Sequence, residues 1–227
     1  MLQSIAPDLW CATHRFKSMG LALSSRMTVV RFPDGALWLH SPIPLTEALK
    51  NGLNQLGRVR WIVAPNLAHH LFAGEALKAY PLAQLWGAPG LIKKRPDLTE
   101  LRTLPREVLP EWASELDQVF VEGMPLVRET VWFHERSKTL IATDLCMWFQ
   151  GDWPWQSRAY GHLNGVMNGL AVSRLVSLVT RDKPAAAASC QRILRWPIER
   201  VVMAHDSIVD MNAKVQLAKA LARFSPD

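Results

Sequence analysis

Three apolar runs in this chain each end on a side chain that can bind a metal ion. Arg60-Trp-Ile-Val-Ala64 leads into Pro65-Asn-Leu-Ala-His69-His70, Thr139-Leu-Ile-Ala-Thr143 into Asp144, and Val201-Val-Met-Ala204 into His205 and Asp206. Short apolar runs of this kind read as buried strands, and sites in sheet proteins collect where a rigid strand meets a loop free to vary. His69, His70, Asp144 and His205 offer three imidazoles and one carboxylate. Neutral imidazole suits zinc, iron, nickel or copper, and a carboxylate widens the choice toward iron or manganese. Taken singly, a strand-end histidine is more often a hydrogen-bonded structural residue. The coincidence at three strand ends is what favours a metal. His69 and His70 would point about 100° apart on a helix, so they share an ion only where the backbone is irregular.

Further polar residues surround this set. His40 closes the run Ala36-Leu-Trp-Leu-His40 and could bond a ligand imidazole or line the pocket, although a core histidine bonded to backbone explains it equally well. Asn66 and Asp206 adjoin the candidate ligands and are expected to hold them in place. His134 lies at the turn end of its hairpin, opposite Asp144, and falls outside the set. Residues 145–169 carry three of the ten tryptophans directly after Asp144. These rings read as a lid or apolar pocket wall, as a homodimer patch or membrane-surface contact, or as packing of the helical half onto a sheet. As a pocket wall, the segment would bring Arg158, Tyr160 and His162 to an anionic substrate.

The elements that must position these groups alternate between strand and helix. Met27-Thr-Val-Val-Arg-Phe32, the turn Pro33-Asp-Gly35 and Ala36–His40 make a hairpin, since Pro, Asp and Gly each supply turn geometry between two apolar runs. Thr46 reads as an N-cap, with Leu49, Leu53 and Leu56 at helical spacing and Gly57 as the stop. Strands are expected at 60–64, 83–87, 116–121 and 198–203, helical spacing marks 71–80 and 170–180, and 89–115 reads as Pro-rich irregular chain with short helical turns. Residues 128–134 and 139–143 form a second hairpin. Asp182 with Pro184 opens a helix to Leu194, and an amphipathic helix runs from Ala213 to Phe224. Hairpins interleaved with helices in both halves imply two mixed sheets with helices outside, in one domain spanning 1–227.

Bulk properties exclude several classes. A chain of 227 residues, 49% hydrophobic and 20% charged, can bury one sizeable core and shows no disordered tract or repeat. The net charge of +6 favours anionic partners, but no stripe of basic residues with exposed aromatics marks a specific nucleic-acid site. Lys93-Lys94-Arg95 is the one compact basic run and reads as a helix cap or solvated face. Cys11, Cys146 and Cys190 are too widely spaced for a metal pair and read as buried thiols. The start Met-Leu-Gln-Ser-Ile-Ala-Pro-Asp does not read as a signal peptide, and no apolar stretch reaches about 18 residues, so a cytoplasmic location is expected.

The sequence resembles a known family. Leu37-Trp-Leu-His-Ser-Pro42, Ala64-Pro-Asn-Leu-Ala-His-His70 and Thr143-Asp-Leu145 are similar to phrases of the DUF4336 family, a degenerate branch of the metallo-β-lactamase superfamily. The resemblance runs from about Ile5 to Asp210. It implies an α/β (α+β) fold, the αβ/βα four-layer sandwich of two mixed sheets flanked by helices. Carried over by position, the first two histidines of the superfamily's His-x-His-x-Asp-His motif fall on Pro65 and Leu67, which cannot bind metal. Its motif Asp falls on His69, its next His on His70, the bridging Asp on Asp144 and the last His on His205. The histidine before the second hairpin falls near Pro125 and is absent. One of two metal sites is thereby lost, and the other keeps His69, His70, Asp144 and His205 around one divalent ion. With a histidine in place of the motif Asp, zinc or iron is expected.

The functional expectation is a mononuclear metal-dependent hydrolase of a small molecule, with Asp144 catalytic. A binding or structural protein that has lost one metal site is the alternative, and an iron-dependent redox protein a third. Four protein ligands on a tetrahedral ion would close the shell and make it structural, whereas three would leave room for substrate.

Overall fold

In the computed structural model, residues 1–18 and 20–225 are described. Two mixed sheets carry the fold. The seven-stranded sheet follows chain order: β1 (Gln3–Ala6), β2 (Leu9–Ser18), β3 (Leu21–Arg31), β4 (Ala36–His40), β5 (Arg58–Ala64), β6 (Gln84–Gly87) and β7 (Arg102–Thr103). β1 and β2 pair antiparallel, as do β3 and β4, whereas β4 through β7 run parallel. Parallel neighbours need crossovers, and helices α1 (Glu47–Leu56), α2 (Ala73–Ala79) and α3 (Leu91–Lys94) occur in them.

The five-stranded sheet has the order β12-β11-β10-β9-β8, from β8 (Leu116–Phe120), β9 (Thr130–His134), β10 (Thr139–Ile141), β11 (Arg200–Val202) and β12 (Ile208–Val209). Only β10 and β11 pair in parallel. Their long connection contains α4 (Trp155–Asn164), α5 (Arg174–Val179) and α6 (Lys183–Arg195), while α7 (Ala213–Leu221) and a 3-10 turn follow β12. Compact contacts divide the chain into two units, Met1–His14 with Ser25–Pro105, and Arg15–Ser24 with Arg106–Asp227.

Each unit has its own apolar centre. In the first, Leu37 and Leu39 of β4 and Ile62 of β5 pack with Leu49 and Leu53 of α1. In the second, Val131 and Phe133 of β9, Leu140 of β10 and Val201 of β11 pack with Ile193 of α6 and Leu217 of α7. β4 and β9 are buried at every position. This explains why they read as continuous apolar runs rather than alternating ones.

Local signals act where expected. Gly35 adopts a φ of 78° and donates its N–H to the Phe32 carbonyl, closing the turn before β4. Thr46 Oγ1 accepts from Leu49 N, and Asp182 Oδ1 from Ala185 N, capping α1 and α6. Lys94 Nζ donates to the Leu67 carbonyl, so the basic run ties down the loop after β5. All three cysteines are buried thiols. Among the described residues no helix is long and apolar enough to cross a membrane. Several regions differ from the sequence expectation. β1 and β2 form an N-terminal hairpin through Pro7-Asp8, where Asp8 takes a φ of 57°, α4 lies in the Trp-rich segment, and the short strands β7 and β12 were not expected.

Leu53 is fully buried and Thr46 contributes one capping bond, so their losses should differ in size. Leu53→Ala should lower unfolding free energy by about 2–5 kcal/mol and Thr46→Ala by about 1 kcal/mol in urea titrations. Equal effects would mean that α1 is not held by its apolar face.

Candidate metal centre

In the first unit the candidate residues gather after β4 and β5. The two strands are parallel, with His40 opposite Val63, so their ends lie side by side. Ser41 takes a φ of 54°, unusual for a residue with a side chain, and its N–H donates to the Val63 carbonyl. Its hydroxyl meets His69 Nδ1 at 2.8 Å. A hydroxyl both donates and accepts, so this contact permits the tautomer with a lone pair on Nε2. Asn66 is fully buried, and its Oδ1 accepts from the N–H groups of Ala68 (2.8 Å) and His69 (2.7 Å). It therefore shapes the loop that presents His69. His40 is buried and stacks on Trp38, and burial, with a further push from His69, holds it well below its ordinary pKa.

His70 is set differently. Arg95 Nη1 lies 3.2 Å from His70 Nδ1 and donates to the His70 carbonyl at 3.1 Å. Guanidinium only donates, so Nδ1 must accept. Burial, then the charges of Lys94 and Arg95, draws the His70 pKa down to about 4. The neutral ring thus carries its proton on Nε2 and has no lone pair left for an ion. Arg95 is itself held by Asp97 through two bonds of 2.8 and 2.7 Å.

In the second unit, Asp144 follows β10 and His205 follows β11, adjacent parallel strands. His205 Nδ1 lies 2.6 Å from the Ser24 carbonyl, and Nε2 lies 3.1 Å from Asp144 Oδ1. A carbonyl only accepts, so the proton sits on Nδ1. In the neutral ring, Nε2 then aims a lone pair at a carboxylate oxygen. Two acceptors at that distance repel unless a proton or a cation lies between them. Burial alone would lower the His205 pKa, but its bond to Asp144, the Asp144 charge, the Ser24 carbonyl and Glu129 together raise it.

Glu129 was not singled out from the sequence. It is fully buried, and its two oxygens accept from Thr143 N at 2.6 Å and Asp144 N at 2.9 Å. Burial first, then the Asp144 charge, pushes its pKa up to about 7 against the pull of those bonds. The signal available was a lone acid directly before the apolar β9 run. Two carboxyl groups in such proximity form a ready cation environment.

Asp206 takes a φ of 57°. Its Oδ2 accepts from Gln150 N (2.6 Å), Gly151 N (2.8 Å) and Trp153 Nε1 (3.0 Å). It clamps the Trp-rich loop rather than a ligand. In that loop, Phe149 and Trp153 pack with Met147 and Val166 in a small core, and Trp155 alone of the three tryptophans is exposed. Core packing is thus the role of most of these rings. Of the polar residues of α4, Tyr160 is held above its usual pKa by burial and then by Asp144. His134 is buried against Ser137, 2.7 Å away, at the far end of its hairpin.

Within the second unit, Asp144 and His205 thus form a ligand-type pair, and within the first His69 presents an imidazole whose Nε2 can carry a lone pair for a ligand.

The family profile described as "Domain of unknown function (DUF4336)" matches residues 8–160. No curated protein matches by sequence. Among solved structures, the metallo-β-lactamase from Pontibacter korlensis is 15% identical with a TM-score of 0.68, covering 100% of this chain and 99% of that one. The metallo-β-lactamase from Erythrobacter litoralis is 12% identical with a TM-score of 0.66, covering 97% and 95%. The DIM-1 metallo-β-lactamase is 14% identical with a TM-score of 0.67, covering 99% and 97%. The fold is that of the metallo-β-lactamases.

Asp206 collects three donors on one oxygen, and Asp206→Ala strands them. The variant should lose about 2–4 kcal/mol of stability, since bonds to a charged acceptor exceed neutral ones. Limited proteolysis should open first at residues 150–153, and cleavage elsewhere first would show that Asp206 is not the clamp.

Proposed function

Since the chain belongs to the DUF4336 family, we propose that residues 1–227 act as one domain, a mononuclear metal-dependent hydrolase of a small molecule in which His69, Asp144 and His205 hold one divalent ion. The observation that carries this reading is the His205 ring. Its Nδ1 proton is committed to the Ser24 carbonyl, which turns the Nε2 lone pair toward Asp144. A metal-binding histidine characteristically donates its other N–H to a carbonyl in this way. The donor set also fits an ion chemically. Two imidazoles and a carboxylate suit zinc or iron, and three protein donors leave a tetrahedral position open. His70, protonated on Nε2 by its Arg95 contact, keeps the set at three.

When bound, such an ion supplies Lewis acidity toward water and toward a carbonyl or phosphoryl oxygen. The remaining chemistry belongs to the chain. Asp144 would contribute a carboxylate oxygen to the ion and could also accept a proton from an attacking nucleophile. Glu129 fixes the backbone of Asp144 so that this carboxylate does not swing away. Tyr160, near Asp144, bonds the substrate. The expected substrates are esters, thioesters, lactams or phosphodiesters.

Zinc or ferrous ion added to the metal-free protein should bind at about one equivalent by calorimetry. His205→Ala and Asp144→Ala should each weaken binding at least about a hundredfold, beyond the loss from removing a residue that only orients a ligand. His70→Ala should weaken it far less. Near-normal binding in the first two variants sinks the ligand assignment. Binding without turnover of chromogenic esters, thioesters or phosphodiesters sinks the hydrolase and leaves a structural ion.

The pH response has a definite sign. The raised His205 pKa means its protonated form stabilises the metal-free fold below the unfolded value of 6.5, and this is lost as pH rises through the folded value. Bound metal needs the ring deprotonated, so affinity should fall on acidification through the same range. Thermal melts with and without zinc should therefore converge at low pH and separate above neutrality.

A further inference from the structure

The second unit carries a basic, leucine-rimmed pocket that the hydrolase reading does not use. Arg174, Ser177, Leu178, Thr180, Lys183 and Arg223 line a space of about 450 Å³. Three of these six residues are cationic and none is acidic. Arg223 Nε donates to Ser177 Oγ at 3.3 Å, which fixes the guanidinium over the pocket. Arg174 Nη1 donates to the Leu163 carbonyl at 3.3 Å, which joins the pocket to the end of α4. Asp182, next to Lys183 in sequence, is occupied in capping α6 through Ala185 N.

Leucines surround these charges. Leu178 is 81% exposed, Leu163 71% and Leu175 51%. α5 buries Val176 and Ser177 and turns Arg174, Leu175 and Leu178 outward. Leu175 N is bonded to Asn164 Oδ1 at 3.2 Å, so Leu163 and Leu175 belong to one continuous surface. Exposed large leucines grouped at one place mark a candidate interaction surface.

We propose that this face docks on a membrane surface, the pocket receiving the phosphate of an anionic phospholipid headgroup while Leu163, Leu175 and Leu178 enter the boundary of the acyl chains. Charge and apolarity together select this occupant. Cations at the headgroup level beside leucines that reach below it are the pattern of an interfacial anchor. A second copy of the same face would bring two three-cation pockets together, and like charges oppose such pairing. A free anion would leave the leucines unexplained. Single-stranded nucleic acid would call for exposed aromatic stacking platforms rather than leucines.

The test is co-sedimentation of the full chain with vesicles of phosphatidylcholine alone and of phosphatidylcholine mixed with phosphatidylserine. Wild-type protein should sediment with the mixed vesicles only. The surface variants Leu175→Ser/Leu178→Ser and Arg174→Gln/Lys183→Gln should each reduce binding by about tenfold or more, with circular dichroism unchanged. Protein that stays in the supernatant overturns the proposal. So does binding that the leucine variant leaves intact, which identifies a phosphate site instead, or concentration-dependent dimerisation that this variant abolishes. Metal binding serves as the control, since both variants should keep it.

Discussion

The Ser24 carbonyl decides the chemistry of His205, and the rest of the candidate centre depends on that decision. A carbonyl cannot donate, so the imidazole proton is drawn to Nδ1 and the Nε2 lone pair is aimed at Asp144. Acceptor facing acceptor is an unstable arrangement in a buried setting, and a positive charge relieves it. A proton does so in the metal-free protein, which is why His205 holds its proton more tightly than usual. A divalent ion held as proposed would do the same for both groups at once. His70 illustrates the opposite outcome. Its neighbour Arg95 can only donate, which moves the proton to Nε2 and closes that ring to metal.

Much of the polar chemistry near the centre is spent on backbone. Asn66 holds two N–H groups of the loop before His69, Glu129 holds the N–H groups of Thr143 and Asp144, and Asp206 holds the loop that follows. Each is a buried or half-buried acceptor placed where a strand ends and ladder partners run out, the position at which unpaired donors would otherwise be costly. Glu129 adds an electrostatic consequence. A buried carboxyl beside Asp144, near its midpoint at neutral pH, makes the locality favourable to cations. Rigidity and charge preference thus arise from the same residue.

What the sequence by itself determined is the type of most elements and the position of the candidate ligands after strand ends. Pro33-Asp-Gly35, Thr46 and Asp182 act through contacts within a few residues, so their effect is readable along the chain. The apolar runs of β4, β9 and β10 are readable because both faces are buried and every position must be apolar or satisfied, and β5 is buried likewise from Trp61 to Ala64. The same reasoning placed His69, Asp144 and His205 at strand ends, and the phrases shared with DUF4336 anticipated the metallo-β-lactamase fold.

Tertiary structure decided which polar groups are donors and which are acceptors, because that depends on partners remote in sequence. Ser24 lies 181 residues from His205, Glu129 lies 15 from Asp144 and Arg95 lies 25 from His70. Residue spacing along the chain carries no record of these encounters, so His70 could not be separated from His69, nor Glu129 noticed. The Trp-rich segment shows the same limit. Phe149 and Trp153, ahead of α4, are buried with Met147 and Val166, whereas Trp155 at the start of α4 is exposed. A tautomer or a buried face is a property of the assembled neighbourhood, and only folding creates it.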